Sequence, residues 1–243
     1  PTIAGIVLAY RGKLLAGGIL TAFFIALQIM SNHVQMSYYF LFVILFIAGA
    51  YFEDAWRNKT LPRFFKASAV LLVAALIGVA ANLSNLYHTY TYSKETMRGK
   101  SELVQTGDAA KQTSSGLDRD YITNWSYGIG ETWTLLVPNF KGGSSSAPLS
   151  QSEAAMEKAN PMYGSLYNSL PQYFGSQPWT AGPVYVGAFV LFLFVLGCFI
   201  VKGPLKWALL GATFFSIVLA WGKNFMPLTD FFIDYVPMYN KFR

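Results

Sequence analysis

From position 14 to position 52 the chain contains no Asp, Glu, Lys or Arg. A single helix over these residues would be about 58 Å long, nearly twice the roughly 30 Å thickness of a membrane's hydrocarbon core. The run must therefore fold back on itself, and the polar cluster at 31–35 marks the turn. Each of the two resulting helices would be long enough to cross a membrane.

The composition indicates the same class of protein. Charged residues make up only 12% of the chain, against about 25% in a soluble domain, and hydrophobic residues make up 53%. The net charge of +6 is compatible with nucleic-acid binding, but the basic residues lie in short loops and form no single patch. We therefore expect no nucleic-acid partner. The single cysteine, Cys198, lies in an apolar run and is read as a packing residue.

The apolar runs predict an all-α fold, a polytopic transmembrane helical bundle with a large extracytoplasmic insert. A partial span is predicted at 1–10, and complete spans at 14–31, 36–52, 67–86, 183–201 and 207–221. The insert at 87–182 is polar and rich in aromatic residues, and a tail follows at 222–243. Because the chain starts within apolar sequence and ends without a closing signal, we expect an internal fragment.

Lysine and arginine residues predict the orientation. The loops 11–13, 53–66 and 202–206 fall on one side by alternation of the spans and hold eight basic residues, whereas the opposite short loop 31–36 holds none. Short cytoplasmic loops carry an excess of basic residues. The basic loops are therefore predicted to be cytoplasmic, and the insert and tail to lie outside.

The insert has two regions dense in aromatic residues. One covers 116–143, which is also rich in glycine, and the other covers 160–182, where three prolines interrupt any long helix. We expect short helical pieces along the membrane surface in the second region. The small polar stretches 105–115 and 142–150 are read as flexible loops.

Several motifs resemble the YfhO-like family of bacterial membrane proteins in its Bacteroidetes form. They are NHVQMSYY at 32–39, RGKSEL at 98–103, the whole of 116–143, YFGSQPW at 173–179 and PMYNKFR at 237–243. That family is similar to the GT-C glycosyltransferases of the bacterial inner membrane. The resemblance implies an enzyme that moves a sugar from a polyprenyl-phosphate carrier to an envelope glycan, lipid or protein.

In GT-C enzymes a catalytic acidic residue lies in the first outer loop, which the resemblance implies would precede Pro1. No catalytic residue is therefore assigned in this chain. The implied partners are membrane lipid, a polyprenyl-linked sugar and the acceptor. No spacing of Cys and His indicates a zinc site, and the need for a divalent metal as cofactor stays open.

A lipid-phosphate donor requires cationic groups near the outer interface, and arginine suits phosphate because its planar fork can donate two N–H bonds. The candidates are Arg98, Arg119 and Arg243. The alternative for Arg98 is an ion pair with Glu102, which lies four positions later and would be on the same face of a helix. Arg119, between two aspartates, also fits a self-neutralising surface turn.

Carboxylates and amides hold sugar hydroxyls, and indole faces stack on sugar C–H surfaces. The candidate sugar-binding residues are Glu131, Trp179, Gln177, His33 and Gln35. The alternative for Glu131 is a helix-start residue stabilised by the helix dipole, and for His33 a hydrogen-bonding turn residue. We predict that Glu131 lies at the rim of an outward cavity shared with Trp179 and with His33 or Gln35.

Two other functions are compatible with the sequence. A transporter or lipid flippase would use the spans as a pathway, although pathways for ions or polar substrates usually contain ionisable groups and the complete spans contain no Asp, Glu, Lys or Arg. A scaffold whose aromatic insert binds another protein is the third hypothesis.

The orientation can be tested by labelling. Cysteines placed singly at Ser114 and Ser145 should react with a membrane-impermeant thiol reagent in intact cells, because the insert is predicted to lie outside. A cysteine at Asn58 should not react. The reverse labelling pattern would overturn the predicted topology.

Overall fold

The computed structural model of the chain describes residues 1–96, 117–180 and 184–241. The chain divides into two compact units, one formed by Pro1–Leu103 and Val201–Phe215, the other by Val104–Ile200 and Ser216–Arg243. All regular structure in the described ranges is helical, apart from one isolated antiparallel bridge between Pro148 and Pro171. The prediction of an all-α chain is confirmed for these ranges.

The described part of the first unit contains five α-helices and the beginning of a sixth. They are α1 (Thr2–Tyr10), α2 (Leu14–Met30), α3 (Val34–Arg57), α4 (Leu61–Ala80), α5 (Leu83–Lys94) and, shared with the second unit, α10 (Pro204–Ala220).

The second unit consists mainly of short helices. Its α-helices are α6 (Arg119–Thr123), α7 (Glu153–Met156), α8 (Gly164–Tyr167), α9 (Ala188–Ile200) and α11 (Met226–Tyr235). Its 3-10 helices are Ile129–Leu135, Leu149–Gln151, Pro161–Tyr163, Gly222–Phe225 and Tyr239–Lys241.

Two of the described helices, α3 and α4, are long and apolar enough to cross a membrane. A third span is obtained if α10 and the segment Gly222–Tyr235 count as one, although the chain bends by 110° between them. The helices α2 and α9 are apolar but shorter. The length and composition of these helices are consistent with membrane association, whereas the count of five complete spans stays a prediction.

The charged loop expected at 53–66 is reduced to a tight turn, because α3 continues to Arg57 and α4 already begins at Leu61. Lys59 adopts a left-handed conformation with φ of 56°, and the N–H of Thr60 donates to the carbonyl of Ala55 at 2.8 Å. This pattern is a Schellman motif, which ends a helix by satisfying its last carbonyls. Proline in the first turn of α4 then suits an immediate restart.

Other helix limits also differ from the expected spans. The helix predicted at 67–86 breaks after Ala80, and the side-chain amide of Asn82 donates to the carbonyls of Ala26 and Gly78. The run predicted at 183–201 becomes helical only at Ala188, because Gly187 before it has φ of 97°. Glycine accepts such a positive φ without strain.

Close helix contact through glycine organises the first unit. A Cβ added at Gly17 would lie 2.5 Å from the backbone nitrogen of Ala9 and 2.7 Å from the carbonyl oxygen of Gly5. Glycine therefore allows the backbones of α1 and α2 to touch, as small residues do between membrane helices. The buried core beside this contact consists of Ile6, Ala9, Ile47 and Leu71.

Substituting Gly17 by alanine tests this contact. We expect Gly17→Ala to lower the free energy of unfolding by roughly 1–3 kcal/mol, because the new methyl group collides with backbone atoms. This loss would outweigh the gain of about 1 kcal/mol in helix propensity. The measurement is the unfolding of the full chain in detergent micelles.

Gly49 provides the matched control, since it also lies in a helix but a Cβ there meets no atom within 4 Å. Gly49→Ala should leave stability unchanged or raise it by up to about 1 kcal/mol. Equal stability of the two variants would rule out the close approach of α1 and α2.

Candidate functional site

The candidate site of the second unit is built on residues 172–180, which we call the anchored segment. Its first residue, Gln172, donates its backbone N–H to the carbonyl of Ala147 at 2.9 Å. At the other end, Thr180 accepts from the N–H of Ser145 at 3.0 Å and donates to the Ser145 hydroxyl at 2.9 Å. Both ends are therefore fixed against the stretch 141–148.

These bonds correct the prediction of a flexible loop at 142–150. Ser145 and Ala147 pair with the anchored segment, and the N–H of Leu149 donates to the carbonyl of Leu170 at 2.7 Å. The small polar residues hold a second chain segment here because their side chains and backbone supply donors and acceptors. The other expected loop, 105–115, lies outside the described residues.

Glu131 lies beneath the anchored segment and is only 3% exposed. Its carboxylate accepts hydrogen bonds from the Tyr173 hydroxyl, from the Ser176 hydroxyl at 3.0 Å and from the backbone N–H of Gly128. A Cβ at Gly128 or Gly175 would collide with this carboxylate, so the two glycines make room for it. A buried carboxylate is tolerated when it is hydrogen-bonded in this way.

The bond from Gly128 to Glu131 also closes the start of the 3-10 helix Ile129–Leu135, in which Glu131 stands in the first turn. Glu131 therefore acts as a residue that stabilises the start of a helix, which was the alternative interpretation. It does not lie at the rim of a cavity as expected. Because its oxygens are occupied inside the protein, Glu131 is not available to sugar hydroxyls. The physical reason is that three donors compensate its burial.

Tyr173 completes this network. Its hydroxyl donates to Glu131 and accepts from the backbone N–H of Gln177 at 3.0 Å. Burial, followed by the hydrogen bond to Glu131, raises the pKa of Tyr173 from 10.0 to about 12. The tyrosine therefore stays protonated and keeps donating at every physiological pH.

Trp179 and Gln177 are brought into the same network, but in different ways. The carbonyl of Trp179 accepts from the indole N–H of Trp125 at 3.3 Å, while its own side chain is 73% exposed. The Gln177 side-chain amide donates to the carbonyl of Trp125 at 3.1 Å. The structure thus fixes the backbone around Trp179 and leaves its indole face open.

Phe174 is the second exposed ring of the anchored segment, with 68% of its surface accessible. Its backbone N–H donates to the carbonyl of Lys141 at 3.1 Å, and the Lys141 ammonium lies 5.9 Å from the ring centroid. That distance is within reach of a weak cation–π contact. We refer to Phe174, Trp179 and Lys141 as the aromatic surface.

Sequence reasoning missed both Lys141 and Phe174. Within the described residues Lys141 forms no ion pair, so its charge is available. The signal that could have found it is local: Lys141 precedes the Gly142-Gly143 pair, and both of these glycines approach Gln172 of the anchored segment.

Arg119 has a structural role instead of the predicted phosphate contact. Its guanidinium bridges Asp230 and Asp234, which are one turn apart on α11, and thereby ties α6 to that helix. Asp118 caps α6 by accepting from the N–H of Asp120 at 2.8 Å. The self-neutralising turn is also wrong, because the arginine reaches carboxylates more than 100 positions along the chain.

The other predicted residues belong to the first unit or lie outside the described residues. His33 and Gln35 belong to the first unit, where His33 is exposed and precedes α3. Arg98 and Arg243 lie outside the described residues. The predicted cavity does not include Glu131, which is buried. A contribution of the 33–35 turn to a cavity with Trp179 stays a prediction.

No group of three or more His, Cys, Asp or Glu side chains suited to a metal ion occurs in the described ranges. Comparisons with family models, with curated proteins and with solved structures give no match. The chemistry of the site must therefore be argued from its own geometry.

Replacing Tyr173 tests the buried network. We expect Tyr173→Phe to lower the free energy of unfolding near neutral pH by roughly 1–3 kcal/mol, since Glu131 loses a donor and the Gln177 N–H loses its acceptor. Tyr163→Phe is the control, because Tyr163 is 51% exposed. Its stability should equal that of the unsubstituted chain.

Comparing Tyr173→Phe with the unsubstituted chain also gives a pH test. Because the pKa of Tyr173 is about 12 when folded and 10.0 otherwise, its stabilisation is complete below pH 10 and is lost as the pH rises toward 12. Denaturation of the full chain in detergent across this range should show the loss. The network assignment is wrong if Tyr173→Phe loses stability over this range as steeply as the unsubstituted chain.

Proposed function

We propose that this chain is part of a membrane glycosyltransferase that takes a sugar from a polyprenyl-phosphate donor for transfer to an envelope acceptor. The observation that carries the proposal is the aromatic surface, where two large rings stand exposed on a hydrogen-bonded frame. The GT-C type, the YfhO-like family and the bacterial inner membrane belong to the proposal through the motif resemblance.

An exposed indole on a fixed backbone suits a sugar ring. The flat face of Trp179 offers an apolar surface for sugar C–H groups, and it does not have to be ordered on binding because residues 177–180 are already fixed. Preorganisation of this kind lowers the entropic cost of binding.

Lys141 supplies charge for the phosphate of the donor. Its ammonium lies 5.9 Å from the centroid of the exposed Phe174 ring and close to Gly130, which has no side chain. Lysine binds phosphate as a point charge, and a partly apolar setting strengthens that attraction. A sugar phosphate could place its ring on an aromatic face while its phosphate meets Lys141.

The apolar helices account for the lipid part of the donor. Two or three of them are suited to a membrane, where a polyprenyl chain would also lie. In the transfer, the acceptor hydroxyl attacks the anomeric carbon, the bond from that carbon to the phosphate oxygen breaks, and polyprenyl phosphate leaves. The hydroxyl proton passes to a base, and this chain contributes donor binding.

The proposal predicts that Trp179→Ala weakens donor binding. The measurement is retention of radiolabelled polyprenyl-phosphate hexoses by the full chain in detergent, with a panel of glucose, galactose, mannose and N-acetylglucosamine carriers. We expect a loss of about tenfold in affinity, equivalent to about 1.4 kcal/mol, and a partial rescue by Trp179→Phe.

Trp56→Ala is the matched control, because Trp56 is a similarly exposed tryptophan in the first unit, at 64%. Its substitution should leave donor binding unchanged. The proposal would be rejected if every glycosylated carrier bound no more tightly than bare polyprenyl phosphate, or if Trp179→Ala bound the donor as well as the unsubstituted chain.

A further inference from the structure

A cavity of about 300 Å³ lies in the first unit where three helix ends meet. Tyr10 and Arg11 come from the end of α1, Tyr51 and Asp54 from the last turns of α3, and Arg63 from the first turn of α4. Because α3 and α4 are the two longest apolar helices, their adjoining ends mark the depth at which lipid headgroups would lie.

One wall of the cavity is a rigid stack of three aromatic rings. The Tyr10 ring lies between Tyr51, at 4.7 Å and 17°, and Phe64, at 5.3 Å and 5°. The Tyr10 hydroxyl is 3.1 Å from the Ser68 hydroxyl, which fixes the central ring. Amphipathic tyrosines are typical of the interface between lipid and water.

The positive charges at the cavity are only partly balanced. Arg11 and Arg63 form no ion pair within the described residues, whereas the neighbouring Arg57 pairs with Glu53. Asp54 also lines the cavity, but its carboxylate accepts from the Asn58 amide at 3.1 Å. Two arginines and one aspartate give the lining a net charge of +1.

Arg63 is held in place without losing its capacity to bind an anion. One N–H of Nη2 donates to the carbonyl of Arg11 at 2.7 Å. Gly12 has φ of 98°, and a Cβ there would collide with the same guanidinium, so only glycine leaves room for it. A guanidinium has five N–H donors, and the others remain for a ligand.

We propose that this cavity binds the phosphate group of an anionic membrane phospholipid. A phosphodiester carries one negative charge, which matches the net charge of the lining, and guanidinium groups bind phosphate through paired N–H bonds. The aromatic wall and the position at the ends of two apolar helices favour a lipid-borne phosphate over a soluble one. The site is independent of the aromatic surface of the second unit.

Native mass spectrometry of the full, delipidated chain in detergent tests the proposal with phosphatidylglycerol and phosphatidylcholine as probes. We expect phosphatidylglycerol to be retained in preference to phosphatidylcholine. Arg11→Gln should weaken phosphatidylglycerol binding by roughly ten- to a hundredfold, because a charge-assisted contact is lost. The Arg11 side chain makes no ion pair, so this variant should fold.

Lys13→Gln is the matched control, since it removes the same charge from the same loop but Lys13 does not line the cavity. It should bind phosphatidylglycerol like the unsubstituted chain. An equal loss in both variants would indicate diffuse charge attraction and overturn the site, as would unchanged binding in Arg11→Gln.

Inorganic phosphate forms the last arm of the experiment. Excess inorganic phosphate should not displace phosphatidylglycerol, because the free ion lacks the acyl chains that lie along the apolar helices. Complete displacement by inorganic phosphate would overturn the assignment to a lipid. Thermal unfolding of each variant without lipid verifies that the fold is retained.

Discussion

The burial of the Glu131 carboxylate is the constraint on which the second unit depends. A carboxylate that is 3% exposed is unfavourable unless donors surround it, and here the donors come from Gly128, Tyr173 and Ser176. Satisfying this one group therefore fastens the anchored segment to the start of the 3-10 helix Ile129–Leu135. Once Tyr173 points inward to supply its hydroxyl, the adjacent Phe174 remains on the outside. The exposed rings of the aromatic surface are thus a consequence of the buried network beneath them.

The first unit is held together by other means. Its helices α1 to α4 are mostly apolar. In a membrane apolar side chains gain little by leaving lipid for protein, so close packing has to provide the specificity. Gly5 and Gly17 let two backbones touch, and the stacked rings of Tyr10, Tyr51 and Phe64 join the ends of three helices. Polar groups are few, and the hydroxyl of Thr21 is buried without a hydrogen-bond partner in the described residues. Packing geometry therefore takes the place that hydrogen bonding has in the second unit.

This contrast explains which features the sequence could predict. Uncharged runs and the polar turn near Asn32 are local signals, so the existence of the long helices and the helix break after Met30 follow from them. Helix limits were less accurate because a Schellman turn at Lys59 depends on backbone conformation and not on polarity. The role of Glu131 was ambiguous since its donor Tyr173 lies 42 positions away. Only the folded chain could show that this carboxylate faces inward.

Five basic residues of the described ranges fall into two groups that the sequence alone does not distinguish. Arg57 and Arg119 are paired with carboxylates, Arg57 within α3 and Arg119 between α6 and α11. Arg11, Arg63 and Lys141 have no such partner in the described residues, although each is held beside aromatic rings or by backbone contacts. An ordered cation without a carboxylate gains most from an external anion, because neither side has to break an internal ion pair first. Phosphate is the anion that both proposed ligands, a lipid-linked sugar and a membrane phospholipid, would bring, so one chemistry would account for these unpaired charges in both units.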